Sequence, residues 1–234
     1  MELPEYITSG DTIIFGHWFN QPLGNALNNC TSLTHISFGW KFNQSLGNAL
    51  NNCLALTHII FGDNFNQPLC NSLDNCTTLT HIKFGLSFNQ KIDLPHSIRF
   101  LSLNCNNRNL IDHLPETIEE LEFKKYFNLE LDNLPSSIKK ITFDEENMFI
   151  GKLNCLPDGL EILQLSDYYN RKILSIPTHL KKFICPHWYK HMQDFSHIEV
   201  VDTYWHKKFI LISIFTLIST HNFYHNTNLM YFYY

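Results

Sequence analysis

The sequence has no surplus of basic residues and no apolar stretch long enough to cross a bilayer. Its 17 Lys and Arg residues are outnumbered by 22 Asp and Glu residues, which gives a formal net charge of −5. Binding to nucleic-acid phosphates depends on basic surface, so a nucleic-acid-binding protein is not predicted. The longest apolar run, Phe209 to Ser219, is much shorter than the roughly 20 residues that a membrane-spanning helix needs. A membrane protein is therefore not expected.

The motifs of common catalytic and phosphate-binding sites are also missing. The chain contains no Cys-x-x-Cys, His-Glu-x-x-His, Gly-x-Ser-x-Gly or Gly-rich phosphate loop. Three neighbouring carboxylates, Glu119, Glu120 and Glu122, are interpreted as a solvated strand face and not as a catalytic pair. We therefore expect no enzyme activity, cofactor or metal, and we keep a metal-binding or hydrolytic protein only as a distant alternative.

The chain also lacks the features of a secreted protein. Its start, MELPEYITSGDT, has neither the positive region nor the apolar region of a signal peptide. Seven cysteines make an odd number, and Cys30, Cys53 and Cys76 recur at a fixed interval, which fits repeat positions better than a disulfide framework. Free thiols and a cytoplasmic protein are predicted.

What the chain does contain is a repeat of 23 residues. The tripeptide Phe-Asn-Gln occurs four times with that spacing, a Phe-Gly pair starts four residues before each copy, and Asn-Cys closes three of the units. We call these the Asn-Cys units. The tripeptides begin at Phe19, Phe42, Phe65 and Phe88. Self-similarity at a fixed period of this length is typical of solenoid proteins.

After residue 88 the units carry Leu-Pro or Ile-Pro in place of Asn-Cys, and we call them the Leu-Pro units. Their prolines are Pro95, Pro115, Pro135, Pro157 and Pro177, with steps of 20, 20, 22 and 20 residues. An aliphatic residue lies three positions beyond each proline, and another apolar residue lies six beyond. The same spacing follows each cysteine of the Asn-Cys units. Cys and Pro are therefore predicted to occupy one structural position in a single repeat family.

Each unit contains the pattern Leu-x-x-Leu-x-Leu, whose final alternation predicts a short strand with one buried face. We count nine strand cores, from Ile13–Phe15 to Phe183–Cys185. One coil cannot bury its own apolar face, so the coils must stack. We predict a leucine-rich-repeat-like solenoid of about nine short parallel-strand coils in one curved sheet, mainly β with irregular or short helical back arcs. In this interpretation the glycines after the early strands make sharp turns.

The predicted organisation has three parts. Residues 1–10 are a lead-in or cap, residues 11–185 are the solenoid, and residues 186–234 are a cap followed by a poorly defined aromatic-rich tail. Repeat units have 23 residues up to about residue 90 and 20–22 residues afterwards. The arc from Phe19 to Cys30 spans 11 residues and that from Phe127 to Pro135 spans 8, which predicts a change of curvature near residues 88–101.

Two further columns are predicted to hold neighbouring coils together. An aromatic residue recurs once per unit and should be buried, and an Asn follows most of these aromatics. An amide side chain can satisfy backbone groups left bare in a turn. We therefore predict a ladder of asparagines, formed by Asn20, Asn43, Asn66, Asn89, Asn128 and Asn170.

The outward strand positions are predicted to form the binding surface, because repeat proteins commonly bind along their strand-lined face. The candidate residues mix imidazole, aromatic, aliphatic and charged groups, which suits a protein partner. Stacked imidazoles in this row could bind a metal, but a linear ladder converges poorly; a pH-sensitive binding surface is the favoured hypothesis, since imidazoles titrate near neutral pH. The candidates are His35, His58, Ile60, His81, Lys83, Phe100, Glu120, Glu122, Lys140, Ile162 and Lys182.

The sequence resembles the FNIP repeat, a leucine-rich-repeat relative found in amoebae and in large DNA viruses that infect them. The resemblance rests on FNQPL after THIIFGDN and on Leu-Pro-x-x-Ile-x-x-Leu-x-Phe in the later units. It covers roughly Asp11 to Cys185 and is expected to be strongest in the first four units. Many members carry an N-terminal F-box, which makes the repeats the substrate-choosing arm of a ubiquitin ligase. About ten residues precede the first predicted strand here, fewer than an F-box needs.

These observations predict a non-catalytic protein–protein interaction scaffold that binds its partner on the strand-lined face. The resemblance makes a host protein or a ubiquitin-ligase component the expected partner, and host cytoplasm the expected location if the protein is viral. The alternative is a substrate-recognition adaptor of a ubiquitin ligase that acts without its own F-box.

Overall fold

The computed structural model describes residues 6–203, which contribute eleven strands to one continuous sheet in sequence order. The predictions for the tail from Lys207 onward, and for the apolar run Phe209 to Ser219, concern residues outside this range. The strands are β1 (Tyr6–Ser9), β2 (Thr12–Phe15), β3 (His35–Ser37), β4 (His58–Ile60), β5 (His81–Phe84), β6 (Phe100–Leu103), β7 (Glu120–Phe123), β8 (Lys140–Phe143), β9 (Ile162–Gln164), β10 (Lys182–Cys185) and β11 (Glu199–Asp202).

The strands from β2 to β11 pair in parallel, one per coil, which confirms the solenoid prediction. All nine predicted strand cores occur, as β2 to β10. Two strands were not predicted. β1 pairs antiparallel with β2 as a hairpin, and β11 adds a parallel strand beyond β10, where Phe183 aligns with Val200.

The core lies between the sheet and the back arcs and contains two columns of aromatic rings. In the Asn-Cys units both columns stack coil upon coil, with ring centroids 5.3–6.0 Å apart and planes within 9° of parallel. The columns are interrupted at β6, where Leu103 aligns with Phe84. In the back arc that follows, α1 (Arg108–Ile111) buries Leu110 and Ile111. The aromatic columns resume in β7 and its following turn. Before the interruption, one column consists of Phe15, Phe38, Phe61 and Phe84, and the other consists of Phe19, Phe42, Phe65 and Phe88.

The predicted equivalence of Cys and Pro is confirmed by one repeated hydrogen bond. In each Asn-Cys unit, the backbone N–H three residues after the cysteine donates to the cysteine carbonyl, as Leu56 does to Cys53 at 3.1 Å. In each Leu-Pro unit the same bond joins position plus three to the proline carbonyl, as Ile118 does to Pro115 at 3.1 Å. Both residues therefore begin the same turn into the strand.

The asparagine ladder is present from Asn20 to Asn89 and again from Asn106 to Asn128, and its rungs are bonds from side chain to backbone. The N–H of Asn43 donates to Asn20 Oδ1 at 2.8 Å, and the N–H of Asn66 donates to Asn43 Oδ1 at 2.9 Å. Each acceptor also receives the side-chain amide of the next coil's Gln, as Asn43 does from Gln67 at 3.1 Å. In the Leu-Pro units the ladder includes Asn106, which accepts from the N–H of Asn128 at 2.7 Å. Neighbouring coils are thus locked in register away from the sheet.

The glycines after the early strands open the predicted sharp turn, since the Phe65 N–H donates to the Gly62 carbonyl at 3.2 Å, and they have a packing role as well. A Cβ atom on Gly62 would overlap the backbone carbonyl of Gly39, and a Cβ on Gly85 would overlap that of Gly62. Neither glycine has a positive φ. Glycine is needed at these positions because the backbones of adjacent coils touch, not because the chain adopts a left-handed conformation.

The back arcs are irregular, as expected. Within residues 6–202, helical structure is confined to α1 and to a 3₁₀ turn at Met192–Phe195. No helix in that range is long and apolar enough to span a bilayer. Strand register passes unbroken from β5 to β6, with His81 opposite Phe100. The change of curvature near residues 88–101 stays a prediction.

Candidate protein-binding face

Strand alternation sends one residue of each strand inward and its neighbours outward. In β5, Ile82 and Phe84 are buried while His81 and Lys83 are partly exposed. Parallel pairing aligns the outward residues of successive strands into two rows that run along the solenoid. The first row is His35, His58, His81, Phe100, Glu120, Lys140, Ile162 and Lys182; the second is Ser37, Ile60, Lys83, Ser102, Glu122, Thr142, Gln164 and Ile184.

All eleven candidate residues fall in these two rows, so the structure brings them onto one face. Ser102 is the exception among the outward positions, because its side chain is buried. Its hydroxyl bonds the Glu122 carboxylate of the next strand. The second row is therefore closed to a partner at Ser102, and the accessible surface there is supplied by Phe100 in the first row.

The first half of the face is a stack of imidazoles. The rings of His35 and His58 are 4.1 Å apart, those of His58 and His81 are 4.0 Å apart, and Phe100 continues the stack at 5.2 Å from His81. Lys83 lies 5.3 Å from the Phe100 ring centroid. His81, Lys83 and Phe100 therefore form a contiguous aromatic and cationic cluster at the middle of the sheet.

Threonine hydroxyls fix the tautomer of these histidines. Thr57 Oγ1 donates to the carbonyl of Thr34 at 3.0 Å and lies 2.8 Å from His58 Nδ1. Because the hydroxyl has only one proton, it must accept from Nδ1–H. Thr80 and His81 repeat the arrangement. Each neutral imidazole therefore keeps its lone pair on Nε2, and the row offers hydrogen-bond acceptors to a partner.

The expectation that this row titrates near neutral pH is wrong for His58. Burial, together with the nearby His81, His35 and Lys83, lowers the pKa of His58 to about 4. Burial also lowers the pKa of His81, against the opposing charge of Glu120. Burial first, and the neighbouring imidazoles second, therefore keep His58 uncharged at neutral pH.

The second half of the face is charged, and its charges pair between strands. Lys140 Nζ lies 3.0 Å from Glu120, and Lys182 Nζ lies 2.9 Å from Glu199. Burial by itself would raise the pKa of Glu122, but hydrogen bonds from Lys124 and Ser102 bring it below its ordinary value. The face thus has an imidazole and aromatic half, in which Lys83 is the charged strand residue, and an ionic half whose charges pair between strands.

A family model places these coils among known repeats. The model of the FNIP repeat matches residues 107–145 and 150–184. Residues 107–145 and 150–184 are therefore FNIP repeats. The match falls on the Leu-Pro units, whereas the resemblance was expected to be strongest in the first four units. The FNIP coils of the Leu-Pro units share strand register and the turn bond at Cys or Pro with the Asn-Cys units.

Two solved structures are similar to this chain. One is CroV588 of the giant virus CroV, a novel circular LRR protein, at 23% identity and a TM-score of 0.48. The alignment covers 78% of this chain and 38% of that one. Another is the internalin InlF of Listeria monocytogenes, at 11% identity and a TM-score of 0.39, covering 81% of this chain and 73% of that one. No curated protein sequence matches the chain.

The buried cysteines of the solenoid are placed for packing. Burial raises the pKa of the Cys53 and Cys76 thiols to about 11, which disfavours the reactive thiolate. Within residues 6–203, no three His, Cys, Asp or Glu side chains are grouped so as to hold a metal ion. The His35, His58 and His81 rings are parallel, so their Nε2 lone pairs do not converge on one point.

Strand alternation alone did not identify a second exposed row, which lies where the chain leaves the strands. Four successive coils place a large apolar side chain directly before the buried aromatic column, and each is about half exposed or more. The residues are Tyr126, Met148, Tyr168 and Trp188, and we call them the aromatic rim. The signal available in the sequence was their constant position one residue before Phe127, Phe149, Tyr169 and Tyr189.

Proposed function

We propose that this FNIP solenoid is a non-catalytic protein-interaction module that binds its partner on the strand-lined face. Leucine-rich-repeat folds generally bind proteins, and their extended sheets offer a long, continuous surface. The proposed contact centre is the cluster of His81, Lys83 and Phe100, flanked by His58 and Ile60.

The observation that carries the proposal is the contrast between the inward and outward rows of the same strands. The middle inward residue of each strand is a buried Ile, Leu or Phe in every coil from β3 to β10. One position earlier, the outward residue changes from imidazole to phenyl to carboxylate to ammonium. Packing restricts the inward residues but does not explain this variety, which suits recognition of one particular surface. The inward residues are Ile36, Ile59, Ile82, Leu101, Leu121, Ile141, Leu163 and Phe183.

The ionic half of the face supports the location of the contact centre. Its charges already have partners, so a binding protein would have to break Glu120–Lys140 or match it. Desolvating paired charges costs free energy that the new contacts must repay. The imidazole and aromatic half has no such charge to desolvate apart from Lys83. We therefore place the energetically dominant contacts between β3 and β6.

Affinity capture from cells tests this proposal. Captures with the wild-type protein and with the double variant His58→Glu/Phe100→Glu are compared, because both substitutions put a carboxylate into the imidazole and aromatic half of the face. The matched control is Lys152→Glu, an exposed charge reversal on a back arc. A partner retained by wild type and control but lost by the double variant supports the proposal.

Captured proteins are then purified and titrated singly against the same three proteins. If every direct binder has equal affinity for wild type and the double variant, the strand-lined face is not the binding surface. Ubiquitin-ligase components among the direct binders would favour the alternative function, a substrate-recognition adaptor of a ubiquitin ligase that uses the same strand-lined face.

A further inference from the structure

The first two coils place two exposed indoles against each other where the chain leaves the sheet. Trp18 lies three residues after the end of β2, and Trp40 lies three residues after the end of β3. Their exposed fractions are 65% and 36%. The ring centroids are 5.9 Å apart, and the ring planes meet at 83°. The two rings thus form a corner at the surface, which we call the indole corner.

An ammonium group already lies over both rings of the indole corner. Lys41 Nζ is 4.4 Å from the centroid of Trp40 and 5.5 Å from that of Trp18. The face of an aromatic ring carries negative potential and therefore attracts a cation. His17 stacks on Trp40 at 5.4 Å and contacts Trp18 edge-on at 5.3 Å, which supports both indoles. The indole corner is therefore a seat for a positive charge.

Hydrogen-bonded turns fix the spacing of the two indoles. The Phe19 N–H donates to the Gly16 carbonyl at 3.1 Å, and the next coil repeats this bond at the equivalent residues. The Lys41 N–H donates to the His17 carbonyl at 3.0 Å, which joins the two turns. The indole corner is therefore built on backbone that the parallel pairing of β2 and β3 holds in place.

The solenoid does not require tryptophan at either position. The next two coils carry an acidic, an aliphatic or a small polar residue there and keep the same strand pairing. Two adjoining, exposed indoles where the fold accepts such residues indicate a binding role. The residues at the Trp40 position are Asp63 and Leu86, and those at the Trp18 position are Asn64 and Ser87.

We propose that the indole corner binds a quaternary ammonium group, −N(CH₃)₃⁺, which displaces the Lys41 ammonium. A lysine ammonium is compact and strongly hydrated, so its contact with the rings competes with its hydration. A trimethylated nitrogen has no N–H group to hydrate and presents methyl groups to both ring faces. Aromatic cages recognise quaternary ammonium ligands for this reason. This site is independent of the proposed contact centre on the strand-lined face.

Labelled peptides that differ in one side chain test the proposal. The probe is a short fluorescein-labelled peptide with a single trimethyllysine. One control peptide has unmodified lysine, and a second has the neutral tert-butyl isostere, in which carbon replaces the charged nitrogen. Binding to the full chain is measured by fluorescence anisotropy. Choline is added as an unlabelled competitor, because it carries the same group on a free small molecule.

Three protein variants separate the ring faces from the resident ammonium. Trp18→Ser/Trp40→Leu removes both indoles and uses residue types found at these positions in later coils. Lys41→Gln removes the competing cation. The matched control is Trp188→Ser, which removes an exposed indole from a distant coil.

We expect the wild type and the Trp188→Ser control to bind the trimethyllysine peptide about tenfold more tightly than either control peptide. The double tryptophan variant should bind it about tenfold more weakly than wild type, with an unchanged thermal midpoint. Lys41→Gln should bind it more tightly than wild type, because the ligand no longer displaces an ammonium. Displacement by choline would show that a free compound also fits the site, and a choline-resistant complex would assign the site to a protein side chain; both support the proposal.

Equal binding of the trimethyllysine and tert-butyl peptides would overturn the proposal, since the indole corner would then select apolar surface and not charge. Unchanged affinity in the double tryptophan variant, or weaker binding by Lys41→Gln, would overturn it as well. Should the double variant fail to fold, Trp18→Ser alone decides by the same criterion, because the Trp18 side chain is mostly exposed.

Discussion

The imidazole rings of His58 and His81 lie 4.0 Å apart with 15° between their planes. Their Nδ1 atoms are held by Thr57 and Thr80 in the same way, so both Nε2 atoms remain acceptors. A proton on either ring would face the other at van der Waals distance. The stack therefore couples the charge state of the proposed binding face to the stability of the coils.

This coupling predicts a loss of stability in mild acid. The pKa of His58 is about 4 in the folded chain and near 6.5 when unfolded. Between these values the unfolded chain binds a proton that the folded chain does not, so stability should fall as pH drops from about 6.5 to about 4. Above this window His58 contributes no pH dependence. The urea midpoint should therefore decrease between pH 7 and pH 5.

The matched variant is His58→Gln, which keeps a polar side chain but cannot titrate. Its urea midpoint should decrease less than that of wild type over the same interval. NMR titration should place the His58 midpoint well below those of exposed histidines. An identical pH response in the two proteins would contradict the stacking account.

The asparagine ladder predicts a second stability effect. Asn43→Ala removes the acceptor of the Asn66 N–H and of the Gln67 amide. Leaving such donors unsatisfied should cost about 1–2 kcal/mol in urea unfolding. Asn25→Ala, at an exposed back-arc position, should cost less than about 0.5 kcal/mol. Equal effects would show that the ladder does not hold the coils in register.

The fold was largely predictable because each coil repeats the same physical problem. Leu33 lies three residues after Cys30, and Ile98 lies three residues after Pro95. In both coils the N–H of the aliphatic residue donates to the carbonyl of the Cys or Pro and closes a tight turn into the buried strand. β11 was missed because Val200 follows Phe183 by only 17 residues and has no Leu-Pro marker before it. β1 was missed because the antiparallel hairpin is outside the repeat period.

The close approach of the Gly62 and Gly39 backbones predicts that a side chain at this turn position lowers stability strongly. Gly62→Ala would place a methyl group against the backbone carbonyl of Gly39. Because both partners are main chain, the coils must move apart, and the cost should be about 2 kcal/mol or more. In Gly159→Ala the nearest atom, Ser136 O, would lie 3.3 Å away, so the loss should be smaller. Thermal or urea unfolding of the pair tests the ranking.

Thiol reactivity should divide the cysteines by burial. Cys70 and Cys155 are exposed and should react quickly with Ellman's reagent at pH 8. Burial raises the pKa of Cys105 to about 11 and that of Cys185 to about 12, so these thiols should stay protected in the native chain. Cys53 and Cys76 should behave like them. All seven should react in guanidinium. Rapid native labelling of a Cys53-only variant would contradict the packing.

The candidate face was predictable only in part. Alternation correctly placed His58 and Lys83 outward, since it depends on local geometry. It could not show that Ser102 is buried or that His58 resists protonation, because both depend on side chains in neighbouring coils. The aromatic rim escaped notice because Tyr126 and Trp188 lie in turns, where strand periodicity says nothing about exposure.

Hydroxyl-radical footprinting of the chain with its purified partner tests most directly whether the partner binds the strand-lined face, because it reports the protection of individual side chains on that face and on the back arcs. Binding at the strand-lined face predicts that His35, His58, His81 and Phe100 lose reactivity on complex formation while exposed back-arc side chains such as Leu174 do not. Unchanged reactivity of those four residues in a saturated complex would contradict the account.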